Sequence, residues 1–194
     1  MREKKKIIQL KNNYINKRPD YKLKILLTGP KAAEKSELIT NFIKSRFNLD
    51  YKSTIGVEIF TKDVEYKPGK TALLSIWDIG GEKRFEFIRS IFYKGASGAL
   101  LVFDLTSEET YEEIKKWLSE IKASTGKDFP LVLIGNKLDK IEEVGVHIDR
   151  DEVRAFAKKE GITYIETTSK PEMELIENTF LKLIRKIISD KKKK

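Results

Sequence analysis

The sequence contains no cysteine and only one histidine among its 194 residues. The lack of cysteine excludes a disulfide framework, a thiolate metal site and a cysteine nucleophile, and it is typical of a reducing compartment. No apolar run reaches 18 residues, and the opening MREKKK lacks the apolar stretch of a signal peptide. His147 stands alone in a predicted loop, where we interpret it as solvated. These absences predict a soluble, cytoplasmic protein.

The net charge of +9 is concentrated at the two ends of the chain. Residues 1–24 carry +7 and residues 190–194 carry +3, which leaves −1 for residues 25–189. A domain so close to neutral does not predict a groove for nucleic acid. The basic ends are candidates for contact with acidic lipid headgroups. An adaptor that binds membrane or nucleic acid would therefore have to use its tails.

The length and a hydrophobic content of 40% suit one domain with short extensions. We expect a basic extension at 1–20, a globular domain at 21–189 and a basic tail at 190–194, in a monomeric protein. Ile7, Leu10 and Tyr14 fall on one helical side among lysines. The extension is therefore either a short amphipathic helix or a disordered segment.

Strand and helix patterns alternate along the domain, which is typical of a mostly parallel sheet covered on both faces. The apolar runs GALLVFD and LVLIG are typical of central parallel strands. A hairpin is predicted around the turn Lys67-Pro68-Gly69-Lys70. The six predicted strands are 22–28, 57–66, 71–77, 98–104, 131–135 and 162–166.

Helices are predicted between these strands, the first at about 35–47. Capping-box spacing begins two of them, at Thr106 with Glu109 and at Asp149 with Glu152, and Pro171 begins the last helix. Helical periodicity predicts buried faces made of Leu38, Phe42 and Ile43, of Ile114, Trp117, Leu118 and Ile121, and of Ile176, Phe180, Leu183, Ile184 and Ile187.

The segment GPKAAEKS, from Gly29 to Ser36, follows the first strand and precedes a helix. A phosphate-binding loop needs glycines whose N–H groups point inward, a lysine for the outer phosphates and a hydroxyl for Mg²⁺. Glu34 stands where the pattern GxxxxGK[ST] has its second glycine. Taken alone, the segment is either a degenerate phosphate loop or an ordinary strand–helix turn.

Three further segments follow in a fixed order. Asp78 to Gly81 offers a carboxylate that can reach Mg²⁺ through water and a glycine N–H that can approach a γ-phosphate. In NKLD, Asp139 can accept two N–H groups of guanine that adenine does not present together, and a wrong base leaves buried polar groups unpaired at roughly 1–3 kcal/mol each. ETTSK, ending at Lys170, supplies a turn that can meet the base. Together these segments predict a guanine-nucleotide site.

With these motifs the chain resembles Ras-superfamily GTPases from about Tyr21 to Ser189, and it looks like the Rab branch. The Rab-like segments are STIGVE (53–58), SIWDIGGEKRF (75–85), FYKGASGALLVFDLT (92–106) and KKWLSEI (115–121). The resemblance implies an α/β fold: a three-layer P-loop NTPase G domain with a six-stranded, mostly parallel sheet, one antiparallel edge strand and about five helices.

The resemblance also implies a molecular switch. It would bind GTP and GDP with Mg²⁺ and hydrolyse GTP slowly. Two loops, at about 48–57 and 78–92, would order around the γ-phosphate and present its state to effector and regulator proteins. The alternative is a non-hydrolysing pseudo-GTPase that serves as a protein-interaction module.

Individual roles can be carried over by position. Catalysis would rest on Glu82, Lys35 and Gly81. The phosphates would be bound by Gly29, Lys31, Ala32, Ala33, Glu34, Lys35, Ser36, Glu37, Tyr51, Thr54 and Gly81. The guanine would be bound by Phe47, Asn136, Lys137, Asp139, Thr168, Ser169 and Lys170. Mg²⁺ would be held by Ser36 and Thr54, and by Asp78 through water.

Acidic residues at the phosphate site depart from the family pattern. Glu34 and Glu37 would repel phosphates unless their side chains turn outward, which predicts weak nucleotide binding; alternatively, only the backbone at position 34 matters. Glu82 replaces the glutamine that orients the attacking water in the family. We expect either an ion pair between Lys31 and Glu82 around the γ-phosphate or two solvated side chains.

Membrane attachment also departs from the Rab pattern. The chain has no cysteine for prenylation, and the start Met1-Arg2 is no myristoylation site. We expect a cytoplasmic protein whose contact with membranes, where it occurs, is made by basic ends without a lipid anchor.

Overall fold

The computed structural model describes residues 18–44, 52–54, 56–145, 148–168, 170 and 173–193. These residues form one seven-stranded sheet in the order β2-β3-β4-β1-β5-β6-β7. The pairs β2–β3 and β3–β4 are antiparallel, and the other neighbours are parallel. The strands are β1 Tyr21–Thr28, β2 Lys52–Thr54, β3 Val57–Lys67, β4 Lys70–Ile79, β5 Gly98–Asp104, β6 Leu131–Asn136 and β7 Thr163–Glu166.

The helices pack on both faces of the sheet. One hydrophobic cluster joins the sheet to α1 and α7, and a second cluster joins the opposite face to α3, α4 and α6. This is the predicted three-layer α/β fold. The helices are α1 Lys35–Lys44, α2 Glu86–Tyr93, α3 Glu108–Glu112, α4 Ile114–Thr125, α5 Ile141–Val144, α6 Arg150–Glu160 and α7 Met173–Lys191, with 3₁₀ turns at Lys83–Phe85 and Leu138–Lys140.

The core follows the sequence pattern closely. Every residue of β5 and β6 is buried, as continuous apolar runs predict for central strands. The predicted apolar faces of α1, α4 and α7 are all buried, including Trp117 at 1% exposure. Phe42 of α1 and Phe180 of α7 stack with ring centroids 4.0 Å apart and an angle of 3° between the planes. This contact joins the first and last described helices.

Two details differ from the prediction. The sheet has seven strands because the short β2 pairs with β3, so β3 is not the edge strand. The described chain also holds seven α-helical segments where about five were expected, partly because the helix after β5 is divided at Glu113. Its length of only three residues makes β2 easy to miss from sequence, since so short a strand carries almost no periodicity.

The predicted cap at Thr106 is also wrong. Ser107 is the N-cap of α3, and its Oγ accepts from the Thr110 N–H at 3.3 Å. Thr106 instead donates to Asp104 Oδ1 through its N–H at 2.8 Å and its hydroxyl at 2.7 Å. The predicted cap at Asp149 is confirmed, because its carboxylate accepts from the Asp151 N–H at 2.9 Å and the Glu152 N–H at 3.3 Å.

Several predictions fall outside the described residues, namely those on residues 1–17, on the end of the first helix, on His147 and on Pro171. In the part of the chain that is described, no helix is both long and apolar enough to cross a membrane.

Candidate functional site

The loops that follow β1, β4, β5, β6 and β7 meet at one end of the sheet. These strands run parallel to one another, so their carboxyl ends share that edge. In open parallel sheets this edge is where ligands bind. A cleft of about 810 Å³ opens there between the loop after β1 and the loop after β4.

The loop between β1 and α1 has the backbone of an anion-binding loop although Glu34 replaces the second glycine of the phosphate-loop pattern. Ala32 has a φ of 69° and Glu34 a φ of 55°, the left-handed conformation that favours glycine. Gly29 could not be replaced, since a Cβ there would lie 2.0 Å from the Val102 carbonyl oxygen. Alternating backbone conformations of this kind point successive N–H groups inward, which suits a phosphate.

Lys35 curls back over this loop. Its ammonium donates to the Pro30 carbonyl oxygen at 2.7 Å, and the residue is 7% exposed. Burial lowers the pKa of Lys35 to about 8, although the carboxylates of Asp78 and Glu37 act in the opposite direction. Lys35 also lines the cleft, so its ammonium lies at the start of α1 where an anion in the cleft would contact it.

Ser36 and Asp78 form the oxygen-rich part of the site. The Ser36 hydroxyl donates to Asp78 Oδ2 at 2.6 Å. Burial raises the pKa of Asp78, and the hydrogen bond from Ser36 and the charge of Lys35 offset part of that rise. Two hard oxygen ligands side by side fit Mg²⁺, which usually takes one or two protein groups together with phosphates and waters. No cluster of three acidic or histidine ligands exists among the described residues, so the protein alone offers only a partial set.

The loop after β4 packs directly on the phosphate loop. A Cβ on Gly81 would lie 2.3 Å from the backbone nitrogen of Lys31, so only glycine allows the two loops to come this close. The Gly80 N–H donates to the Gly56 carbonyl oxygen at 2.9 Å, which ties this loop to the residue before β3. The backbone at Gly81 therefore reaches the part of the cleft that Lys31 borders.

A buried asparagine joins the phosphate loop to the loop after β6. Asn136 is fully buried; its Nδ2 donates to the Ala33 carbonyl oxygen at 3.1 Å, and its Oδ1 accepts from the Thr167 hydroxyl at 2.9 Å. The Leu138 N–H also donates to the Thr167 carbonyl oxygen at 2.9 Å. Three loops from distant parts of the sequence are thus fixed to one another, and Asp139 lies exposed on the surface they form.

The comparison with known sequences identifies the family. Residues 24–189 match the model of the Ras family. This chain belongs to the Ras family. It is similar to Ras-related protein RABA4b of Arabidopsis thaliana, with 37% identity over 175 residues that cover 90% of this chain and 76% of the relative. It is also similar to Ras-related protein RIC2 of Oryza sativa subsp. japonica, with 38% identity over 168 residues that cover 87% and 76%.

The predicted Rab-like, Ras-superfamily small GTPase is therefore confirmed, and GTP binding is the property of that class. In this small GTPase the structure brings the predicted phosphate and Mg²⁺ residues of the first helix, β4 and its loop to one cleft. Lys137, Asp139, Thr168 and Lys170 lie in the loops beside Asn136. Phe47, Tyr51, Ser169 and the side chain of Thr54 lie outside the described residues and side chains.

The structure distinguishes the two alternatives for the side chains of Lys31 and Glu82. Glu82 forms its ion pair with Arg84, two residues away, and the described residues show no pair between Glu82 and Lys31. Lys31 is exposed at the rim of the same cleft. Arg84 was closer in sequence and also lies over the Phe85 ring, with 4.7 Å from its Cζ to the ring centroid.

The acidic side chains have separate outcomes. Glu34 turns toward two lysines of the loop after β6, with its Oε1 3.3 Å from Lys137 Nζ and 3.5 Å from Lys140 Nζ. Glu37 is exposed in the first turn of α1 and lines the cleft. The described lining of the cleft includes five carboxylates against three cations, namely Glu34, Glu37, Glu58, Asp78 and Glu82 against Lys31, Lys35 and Arg84.

Two residues of the site were missed from the sequence. Asp104 ends β5 and forms an ion pair with Lys137 at 2.7 Å. Its position after a buried parallel strand is the signal that could have found it. Lys140 follows the NKLD segment and belongs to no motif, so only the fold shows that its ammonium reaches the phosphate loop.

Proposed function

We propose that this small GTPase binds GTP and GDP with Mg²⁺ in the cleft at the carboxyl end of the sheet and hydrolyses GTP slowly. The observation that supports it best is the pair of hydrogen bonds that Asn136 makes with Ala33 and Thr167, which we call the Asn136 bridge. It holds the phosphate loop beside the loop that carries Asp139. Lys35 would contact the outer phosphates, and Gly81 would offer its N–H to the γ-phosphate. Asp139 would accept the two N–H groups of guanine.

Mg²⁺ would be held by Ser36 and Thr54, with Asp78 acting through water, and would neutralise charge on the phosphates. That help matters here because carboxylates outnumber cations around the cleft. We expect the nucleotide to bind more weakly than is usual for the family, since the carboxylates of the cleft lining repel its phosphates.

Slow hydrolysis follows from Glu82. A glutamine amide both donates to and accepts from a water, whereas a carboxylate only accepts. In the structure the Glu82 carboxylate is also engaged by Arg84. The residue therefore lacks the amide hydrogen with which the family orients the attacking water.

The switch role would use the loops at about 48–57 and 78–92, which effector and regulator proteins would contact. Phe87 and Ile91, on one face of α2, are 80% and 60% exposed, which is unusual for large apolar side chains and suits a partner protein. The basic segments 1–20 and 190–194, outside the proposed domain 21–189, would add weak contact with anionic membranes.

A nucleotide titration tests the proposal. Fluorescent GDP, GTP and ATP are titrated with and without Mg²⁺, and phosphate release from GTP is followed over hours. We expect guanine selectivity, tighter binding with Mg²⁺ and slow release. The matched variant is Asp139→Asn, which swaps one acceptor for a donor and should shift preference from GDP to xanthosine diphosphate, whose ring carries an acceptor at that position. Equal affinity for GDP and ATP would contradict the proposal.

A non-hydrolysing pseudo-GTPase is the second candidate, and the acidic lining of the cleft favours it. It keeps the fold as a surface for other proteins and does not turn over nucleotide. The same experiment separates the two functions. Binding without phosphate release, or no binding at all, would assign the chain to this second class.

A further inference from the structure

Four charged side chains form a compact cluster between the phosphate loop and the loop after β6. Glu34 Oε1 lies 3.3 Å from Lys137 Nζ and 3.5 Å from Lys140 Nζ. Lys137 Nζ also lies 2.7 Å from Asp104 Oδ2. We call these residues, Glu34, Lys137, Lys140 and Asp104, the Glu34 clasp.

Charge balance explains why the cluster contains a second lysine. Lys137 and Asp104 have 11% and 7% of their side chains exposed, so their pairing at 2.7 Å is well shielded from water. Their charges cancel, which leaves Glu34 without a dedicated cation. Lys140 supplies it, and the cluster as a whole is neutral. Without Lys140, the Glu34 carboxylate would carry an excess negative charge into a cleft meant for phosphates.

The backbone gives a second reason. Glu34 has a φ of 55°, a conformation that costs a residue with a Cβ about 1–2 kcal/mol. The same position directly precedes Lys35, so a change of its backbone would displace the ammonium at the start of α1. Lys140 lies in the 3₁₀ turn Leu138–Lys140, and its N–H donates to the Lys137 carbonyl oxygen at 3.0 Å. The lysine end of the clasp is thus firmly placed.

We propose that Lys140 is a positioning residue of the nucleotide site: with Lys137 it neutralises Glu34 and holds the phosphate loop in its left-handed conformation. The inference rests on the proposed function for its effect on nucleotide affinity. The clasp stabilises at Glu34 the left-handed backbone that the glycine of the phosphate-loop pattern adopts without strain. It also removes the repulsion that a free carboxylate would exert on the β-phosphate.

A double-mutant cycle on the full chain tests the clasp. The variants are Glu34→Gln, Lys140→Met and the combination of both, with Lys140→Arg as the conservative replacement. Each is examined by thermal unfolding without nucleotide and by titration with fluorescent GDP and Mg²⁺. Glu34→Gln keeps the strained backbone and removes only the charge, so the cycle isolates the ion pair.

Lys140→Met should lower the unfolding midpoint by about 2 °C and weaken GDP binding about fivefold, as expected for a partly exposed ion pair. In the Glu34→Gln background the same change should have little effect on the unfolding midpoint or on GDP binding. The single variant Lys140→Arg keeps the positive charge and should keep both quantities near those of the native chain. The control cycle pairs Lys140→Met with Glu37→Gln, a carboxylate of the same cleft that is not part of the clasp. Its two effects should add.

The two readouts separate the inference from the proposed function. Additive unfolding effects of Glu34→Gln and Lys140→Met would overturn the clasp whether or not GDP binds. Equal weakening of GDP binding in both backgrounds would also overturn it, because Lys140 would then act on the nucleotide directly. Coupled unfolding effects with no GDP binding in any variant would support the clasp and defeat the proposed nucleotide binding.

Discussion

Arg89 of α2 and Glu120 of α4 form a bidentate ion pair, with Nε to Oε2 at 3.1 Å and Nη2 to Oε1 at 2.8 Å. Arg89 is 3% exposed, and its Cζ lies 3.9 Å from the centroid of the Trp117 ring. The pair anchors the end of the second predicted switch segment to α4. Movement of that segment is therefore expected mainly before Arg89, near Gly81.

Removing one partner of this pair should destabilise the domain. Glu120→Ala removes both hydrogen bonds of the buried Arg89 guanidinium to Glu120 and leaves it only the longer contact with Glu86 at 4.0 Å, and we expect a loss of about 3 kcal/mol in the free energy of unfolding. Urea unfolding measures it. The control is Asp151→Ala, whose pair with Arg154 is 90% and 50% exposed and should be worth under about 1 kcal/mol. Equal losses in the free energy of unfolding for the two variants would contradict the view that the Arg89–Glu120 pair anchors α2 to α4.

The Asn136 bridge should contribute strongly to the free energy of unfolding. Asn136→Ala leaves the Ala33 carbonyl and the Thr167 hydroxyl without their partner, and each buried group left unsatisfied costs about 1–3 kcal/mol. We expect a loss of about 3 kcal/mol in urea unfolding. GDP should also fail to raise the unfolding midpoint of the variant. Asn178→Ala, at an exposed position of α7, is the control and should change neither quantity.

Stability should depend on pH through Glu166. Burial raises the pKa of Glu166, but hydrogen bonds from Arg150 and Tyr164 and the charges of two arginines outweigh it, so the pKa lies below its usual 4.5. The stabilisation is therefore present above pH 4.5 and lost as the pH falls through the lower, folded-state value.

Glu166→Gln measures this contribution. The variant should be less stable than the native chain by about 1 kcal/mol at pH 7, and the difference should shrink below pH 4.5. Urea unfolding at a series of pH values gives the difference directly. Glu108→Gln, an exposed residue at the start of α3, serves as the control. A difference that stays constant with pH would exclude the carboxylate charge as the cause.

Glu82→Gln should increase GTP hydrolysis by about tenfold or more, because the amide supplies the donor that the carboxylate lacks. Single-turnover phosphate release measures the rate. Arg84→Met is the matched variant, since it frees the Glu82 carboxylate without adding an amide, and it should produce a much smaller change. A rate that Glu82→Gln leaves unchanged would place slow hydrolysis elsewhere in the site.

The fold could be predicted from sequence because its signals are local. The apolar runs at 98–104 and 131–135 predict buried strands, and the apolar periodicity of α1, α4 and α7 predicts their buried faces. The order of the site segments was also predictable, since parallel strands bring their carboxyl ends to one edge. The strand β2 was missed because three residues show almost no periodicity. The cap at Ser107 was missed because Ser107 and Thr106 are about equally good caps by sequence.

The electrostatic contacts of the site could not be predicted in the same way. Glu34 and Lys140 are far apart along the chain, and nothing local indicates that their side chains meet. Arg89 and Glu120 present the same difficulty. Of the two alternatives for Lys31 and Glu82, the ion pair is not found among the described residues, because Arg84 lies within reach of Glu82. Long side chains choose among several partners, and the choice depends on geometry that spacing does not encode.

The stacked rings of Phe42 and Phe180 have a consequence for how the two ends of the domain communicate. Flat aromatic faces with centroids 4.0 Å apart lose their contact when the two helices separate, so α1 and α7 are held together here. A protein that grips the outer surface of α7 and shifts it would therefore carry α1 along. Since α1 begins at Lys35, such a partner would alter the position of the Lys35 ammonium without touching either switch loop.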